Sequence, residues 1–195
     1  MEPTTAPWAL CSDDGLSATF QRRGDRWAHR IELPGVDVRL LSVEGSPDER
    51  WPAHPPIQHL VREARSTGDV LLGVGMAGRS HWSFALSSTR SGLLFEVACR
   101  VAEPAGFLGS TYEVVGEGVA IEGLAIEPHG PSAVDLRAGS ATLQVAAERD
   151  AQIALTQLDD ARPRLTILPS SAGRTVCWQF RVSGPAAPER PLRPD

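Results

Sequence analysis

Lysine and asparagine are absent from this chain of 195 residues, and all 19 of its basic residues are arginine. Without lysine the chain has no side-chain amine for Schiff-base chemistry, and without asparagine it has no acceptor for N-linked glycosylation. The skew is typical of a G+C-rich genome, so we attach no function to it.

A strong charge of one sign is also lacking. The 19 basic residues are set against 24 acidic ones, and no block of like charges occurs. Proteins that bind a phosphate backbone need a basic patch, so we expect no nucleic-acid partner. Hydrophobic residues at 42% and charged residues at 22% are typical of a globular domain.

Cysteines and long apolar runs are scarce. Cys11, Cys99 and Cys177 are isolated and odd in number, and they form neither a CxxC pair nor a disulfide framework. The first residues lack the basic and apolar regions of a signal peptide, and no apolar run is long enough to span a bilayer. The sequence therefore predicts a cytoplasmic protein that does not associate with a membrane.

A period of two dominates the apolar pattern. It is clearest in residues 93–101 and 176–182, where apolar and polar side chains alternate as in a strand with one buried face. Shorter strand candidates recur between Gly, Pro, Asp and Ser residues, as in sandwiches and barrels. We predict an all-β fold, an antiparallel two-sheet sandwich or supersandwich with at most one or two short helices. It forms a single domain over residues 1–183, followed by a disordered, proline-rich tail over 184–195.

Three short segments need separate interpretation. Gly24-Asp25 predicts a tight hairpin turn. Residues 57–66 have apolar side chains at helical spacing, yet they also fit a strand, so both alternatives stay open. Residues 73–78 match the GxGxxG dinucleotide fingerprint, but the residues after them alternate like a strand and do not begin a helix. We interpret residues 73–78 as a glycine-rich loop and expect no cofactor.

Polar residues that could bind a ligand concentrate near that loop. Arg79 and His81 share one face of a predicted strand, and Trp51 lies upstream in a proline-stiffened connection. We predict that these three residues meet at one end of the sandwich, where the glycines let the backbone approach a ligand, and that Arg100 joins them. The alternative is that Trp51 closes an end of the sandwich and the charges around it are only solvated.

The histidines show no metal-binding motif. His29, His54, His59 and His81 form no HxH, HExxH or Cys/His cluster, so we expect no metal site. His29 alternates with apolar residues, which predicts a hydrogen-bonded histidine in the core.

Three stretches resemble known proteins. Residues 44–52, 75–83 and 97–100 are similar to segments in a group of uncharacterised bacterial proteins, a resemblance that covers residues 17–183 and implies no known activity. The strand-rich layout more loosely resembles the supersandwich of galactose mutarotase-like and carbohydrate-binding proteins, which implies a sugar ligand.

Three functions remain open from the sequence. The first is a binding module in which Trp51, Arg79, His81 and Arg100 recognise a carbohydrate or another small polar ligand. The second is a sugar mutarotase or isomerase, in which His81 or His54 acts with a carboxylate such as Glu49, Asp48 or Glu96. The third is a structural or protein-interaction domain. Sequence alone does not separate the first from the third.

Overall fold

A computed structural model describes residues 8–116, 124–156 and 162–184 of the chain. These residues form strands, turns and loops, and none of them belongs to a helix. Accordingly, the described residues contain no helix with the length and apolar character needed to cross a membrane. The strands, numbered in chain order, are β1 (Trp8–Cys11), β2 (Ser17–Arg23), β3 (Arg26–Glu32), β4 (Arg39–Ser42), β5 (His59–Arg65), β6 (Gly68–Ala77), β7 (Ser80–Thr89), β8 (Gly92–Arg100), β9 (Ser110–Val115), β10 (Ala125–His129), β11 (Ala133–Ala138), β12 (Ala141–Ala147), β13 (Ala151–Thr156), β14 (Arg164–Pro169) and β15 (Thr175–Ser183).

The strands pair into two antiparallel sheets that pack face to face. Sheet A has seven strands in the order β1-β2-β3-β4-β9-β14-β13, and sheet B has eight in the order β10-β11-β12-β15-β8-β7-β6-β5. Neither sheet closes into a barrel. The predicted all-β, two-sheet sandwich is therefore confirmed.

The core lies between the sheets and is rich in aromatic rings. The two clearest predicted strands, now β8 and β15, pair with each other and direct Phe95 and Phe180 inward. Their rings stack with centroids 4.7 Å apart and planes 7° apart. Burying one such side chain contributes about 1.5–3 kcal/mol to folding, so the inward-facing aromatic residues of these two central strands stabilise the sandwich.

Two local predictions are decided by strand pairing. Gly24-Asp25 forms the predicted two-residue turn between β2 and β3, with Arg23 paired to Arg26 across it. Residues 59–65, for which a helix and a strand were both open, form strand β5 and pair with β6 along their whole length. A helix would need a buried stripe, but Leu60 is the one residue of β5 that is buried.

Residues Pro52–Gln58, which we call the inserted segment, run between the two sheets. Most of them are buried. Trp27 of sheet A donates its backbone N–H to the Ile57 carbonyl at 2.7 Å, and Gln58 donates to the Val74 carbonyl of sheet B at 2.9 Å. The inserted segment thus bridges the two sheets through its backbone.

Two glycines of β6 make room for the inserted segment. A Cβ atom on Gly75 would lie 1.5 Å from the Pro56 carbonyl oxygen, and one on Gly73 would lie 2.8 Å from Ile57 Cγ2. The prediction of a loop over residues 73–78 is therefore wrong for residues 73–77, which belong to strand β6. Gly73 and Gly75 sit within β6, where the Ile57 side chain approaches Gly73 and the Pro56 backbone approaches Gly75. The turn itself is Gly78-Arg79.

Replacing Gly75 should disrupt the fold. We expect Gly75→Ala to lower the free energy of unfolding by about 1–3 kcal/mol or more, because a methyl group there overlaps the Pro56 carbonyl. Urea denaturation followed by tryptophan fluorescence measures the change. Gly173→Ala is the control, since its Cβ would be 3.7 Å from the nearest atom, the Thr175 carbonyl oxygen. Equal midpoints for the two variants would contradict this account of the inserted segment.

Candidate functional site

A cleft of about 850 Å³ opens at one end of sheet B, where β6 turns into β7 and β8 leaves the sheet. We call it the arginine cleft, because three arginines line it. Its polar lining residues are Arg79, His81, Arg100, Glu103 and Arg174.

Strand register explains why these side chains meet. His81 of β7 is paired with Arg100 of β8, Met76 of β6 lies on the other side of His81, and Thr175 of β15 lies beyond Arg100. All four side chains are exposed on the outer face of sheet B, in one row across four strands. Paired residues on one face of a sheet lie close enough for their side chains to act on the same ligand.

The arginine cleft has an excess of positive charge. Arg79, Arg100 and Arg174 are exposed, and within the described residues their guanidinium groups form no ion pair or hydrogen bond. Glu103 is the acidic residue of the lining, and its Oε2 atom lies 3.8 Å from Nη1 of Arg50 outside the cleft. Three guanidinium groups that form no ion pair within the described residues favour a negatively charged ligand.

The structure places three of the four predicted ligand-binding residues in this cleft. Arg79, His81 and Arg100 line it, whereas Trp51 does not. Trp51 packs against the core, and its Cδ1 atom is 3.1 Å from where a Cβ of Gly106 would be. These contacts favour the structural alternative that the sequence left open for Trp51.

Two residues of the cleft, Glu103 and Arg174, were not singled out from the sequence. Arg174 immediately precedes β15, and its carbonyl accepts a hydrogen bond from Val101 N–H at 2.8 Å. That contact extends the pairing of β8 with β15 beyond the strand ends. The alternation of apolar and polar residues along one strand does not show which strand it pairs with. Arg174 could therefore be found only from the order of the strands in the sheet.

The carboxylates proposed as catalytic partners lie elsewhere. Glu49 accepts a hydrogen bond from the Ser46 N–H at 3.2 Å and so supports its own turn. Glu96 lies on the same strand as Arg100, four residues before it, and accepts a hydrogen bond from Gln179. Neither these two nor Asp48 lines the arginine cleft.

A second group of polar residues is buried between the sheets. Its members, which we call the histidine cluster, are His29 of β3, Glu44 just after β4, His54 of the inserted segment and Tyr112 of β9. One possible ligand atom from each of His29, Glu44 and His54 lies within 4.8 Å of those of the other two. His54 is fully buried, at 0% exposure, and does not line the arginine cleft.

Hydrogen bonds hold one side of each imidazole ring. His54 Nδ1 lies 3.2 Å from the carbonyl oxygen of Thr111, and His29 Nε2 lies 3.0 Å from the Tyr112 hydroxyl. The predicted hydrogen-bonded core histidine at position 29 is thereby confirmed. On the other side, His54 Nε2, His29 Nδ1 and both carboxylate oxygens of Glu44 are buried without a hydrogen-bond partner.

Burial controls the charge of the histidine cluster. It lowers the pKa of His54 to about 3 and the pKa of His29 well below its usual value, so both rings are neutral at pH 7. It raises the pKa of Glu44 to about 7, although the Ser42 hydroxyl and the Arg26 guanidinium act in the opposite direction. Phe20 stacks on the His29 ring with centroids 4.7 Å apart, which keeps water away from it.

The sequence carried one signal for Glu44. Leu40 and Ser42 point into the core, and Glu44 continues the same period of two past the end of β4. Nothing comparable marked His54, because its position depends on where the inserted segment enters the sandwich.

Comparison with known proteins adds no relative. No protein-family model matches the chain, and neither the curated proteins nor the solved structures contain a similar one. The chemistry of the arginine cleft and of the histidine cluster is therefore what bears on function.

The two groups should respond differently to mutation. We expect Arg79→Ala to change the free energy of unfolding by no more than about 0.5 kcal/mol, because the side chain is exposed and has no partner among the described residues. His54→Ala should cost about 2–4 kcal/mol, because it leaves a cavity and removes a hydrogen bond from the Thr111 carbonyl, which then keeps only the bond that it accepts from Val43 N–H. Urea denaturation of both variants measures this. A loss above about 1 kcal/mol for Arg79→Ala would mean that Arg79 anchors its turn.

Proposed function

We propose that the protein is a binding module that recognises a carbohydrate derivative, or another small polar ligand, through an anionic group held in the arginine cleft. The observation that carries the proposal is the convergence of Arg79, Arg100 and Arg174, none paired within the described residues, beside His81.

Guanidinium chemistry supports an anionic ligand. The planar guanidinium fork fits the two oxygens of a carboxylate or phosphate, and such charge-assisted hydrogen bonds are about twice as strong as neutral ones. His81 adds a ring nitrogen on the same face as Arg100. The group therefore suits a sugar acid or sugar phosphate better than a neutral sugar.

The shape and the apolar part of the arginine cleft support a ligand with a ring. Its volume of about 850 Å³ lies within the range of small-molecule sites. Met76, which is 45% exposed, and Pro104 provide apolar surface beside the arginines. An apolar wall with polar groups at one end suits the C–H face of a sugar ring, in keeping with the resemblance to carbohydrate-binding sandwiches.

Isothermal titration calorimetry tests the proposal with glucuronate, galacturonate, glucose 6-phosphate, inorganic phosphate and the neutral parent sugars. We expect a sugar acid or sugar phosphate to bind and the neutral sugars to bind far more weakly. Arg79→Ala and Arg100→Ala should each weaken binding about 10- to 100-fold, as expected for the loss of a charged hydrogen bond.

Arg90→Ala is the matched control. Arg90 is an exposed arginine of the same β7–β8 hairpin, but it lies in the turn at the opposite end from His81 and Arg100. Its replacement removes the same charge and should leave binding unchanged. If the wild type binds none of these ligands, or if Arg90→Ala weakens binding as much as Arg79→Ala, the arginine cleft is not a specific site for them.

A second candidate function is a sugar mutarotase or isomerase. The observation that favours it is that His81 and Glu103 line the same cleft, since such chemistry needs a general acid and a general base. Polarimetry or NMR of anomer exchange tests it. Catalysis by the wild type that is lost in both His81→Gln and Glu103→Gln would establish this function in place of simple binding.

The cytoplasm is the compartment that we propose for this module. Supporting this, Cys11, Cys99 and Cys177 are all free thiols, and Cys11 and Cys177 are exposed. Exposed free thiols suit a reducing compartment.

A further inference from the structure

The histidine cluster has an unusual concentration of unpaired polar atoms. In the part of the chain that the structure describes, eight buried side-chain nitrogen or oxygen atoms have no hydrogen-bond partner, and four of them belong to His29, Glu44 and His54. Leaving a buried polar atom unpaired costs free energy, so a native protein normally supplies a partner. These four atoms are also the kinds of atom that bind transition metals.

The hydrogen bonds around the cluster orient both rings for coordination. His54 Nδ1–H donates to the Thr111 carbonyl, which leaves the lone pair of Nε2 free. When His29 Nε2–H donates to the Tyr112 hydroxyl, the lone pair of Nδ1 is free in the same way. Histidines that bind metals typically donate their second ring N–H to a carbonyl or another oxygen, which holds the ring in place.

We propose that His29, His54 and Glu44 bind a divalent transition-metal ion, best matched by Zn²⁺, which fastens the inserted segment to sheet A. The two imidazole nitrogens and the two oxygens of Glu44 supply four donor atoms for it. A mixed nitrogen and oxygen set favours Zn²⁺ over Ca²⁺ or Mg²⁺, which prefer oxygen ligands alone.

The spacing is compatible with such a site. The three ligand atoms lie within 4.8 Å of one another, and Zn–N bonds are about 2.0–2.1 Å long, so small side-chain rotations bring the residues into coordination. Glu44 is the partly exposed member, whereas His29 and His54 are buried.

The location of the ligands indicates a structural role for the metal. His29 and Glu44 belong to the β3–β4 region of sheet A, whereas His54 belongs to the inserted segment. An ion shared by these residues links the inserted segment to the sheet. Aromatic rings, including that of Phe20, pack around His29, which leaves little room for a substrate beside the ion.

Metal analysis of the full-length protein is the first test. We expect inductively coupled plasma mass spectrometry to find about one zinc ion per chain in protein expressed with added Zn²⁺. Protein stripped with a strong chelator should melt at a lower temperature. Zn²⁺ at about 100 times its dissociation constant should raise the midpoint by about 5–10 °C. Co²⁺ added to the stripped protein should produce a visible d–d absorption band.

Conservative variants locate the metal. Glu44→Gln keeps the shape of the side chain, so the protein should fold, and the affinity for Co²⁺ should fall about 100-fold or more. His54→Gln should have the same effect. The matched controls are Glu49→Gln and His81→Gln, which change an exposed carboxylate and an exposed histidine outside the cluster. Both controls should retain the metal.

Two results would overturn the proposal. Wild-type protein that contains no metal, shows no shift with Zn²⁺ and gives no Co²⁺ band would show that water or a shared proton satisfies the cluster. Metal that survives Glu44→Gln and His54→Gln but is lost in His81→Gln would place the ion in the arginine cleft. Neither measurement depends on ligand binding by that cleft.

Discussion

The packing of the inserted segment between the two sheets is the constraint on which the rest of this structure depends. The Pro56 carbonyl approaches β6 so closely that position 75 has no space for a side chain. Backbone hydrogen bonds then tie the segment to Trp27 of sheet A and to Val74 of sheet B. These bonds satisfy buried peptide groups that a proline-rich segment would otherwise leave unpaired. They explain how a segment without regular secondary structure can be buried between two sheets.

The same connection contributes to both polar groups of the molecule. In the exposed part of the β4–β5 connection, just before the inserted segment, Arg50 packs beside Gly78 and lies near Glu103, so it supports one wall of the arginine cleft. In its buried part, His54 reaches the core next to His29. A change in the path of the inserted segment would therefore affect the outer cleft and the inner cluster together.

The two groups differ in what solvent does for them. Water hydrates the exposed guanidinium groups of the arginine cleft, so they can remain unpaired at little cost and exchange water for a ligand. The histidine cluster has no such solvent, because His29 and His54 are almost fully buried. Its carboxylate and imidazoles are costly without a partner, which favours an occupant that stays bound. This difference in hydration is the physical basis of both proposals, a reversible anion site outside and a permanent cation site inside.

Local pattern in the sequence determined the parts of the fold that depend on neighbouring residues. The period of two located β8 and β15, and Gly24-Asp25 marked a hairpin turn. Arg79 lies in the turn before β7 and not on the predicted strand, yet its closeness to His81 in sequence places both in the same cleft. These features need no knowledge of distant residues, because the geometry of a single strand or turn produces them.

The tertiary structure alone decided the rest. Register between separate strands brought Arg174 to the cleft that His81 and Arg100 line. The burial of His54, and with it the histidine cluster, depends on a segment that enters the sandwich between strands remote from it in sequence. Gly73 and Gly75 were predicted to lie in a loop, because the inserted segment that packs on them, through the Ile57 side chain and the Pro56 carbonyl, is not visible in the local sequence. Contacts between distant residues leave no periodic trace in either partner, so no local pattern could have predicted them.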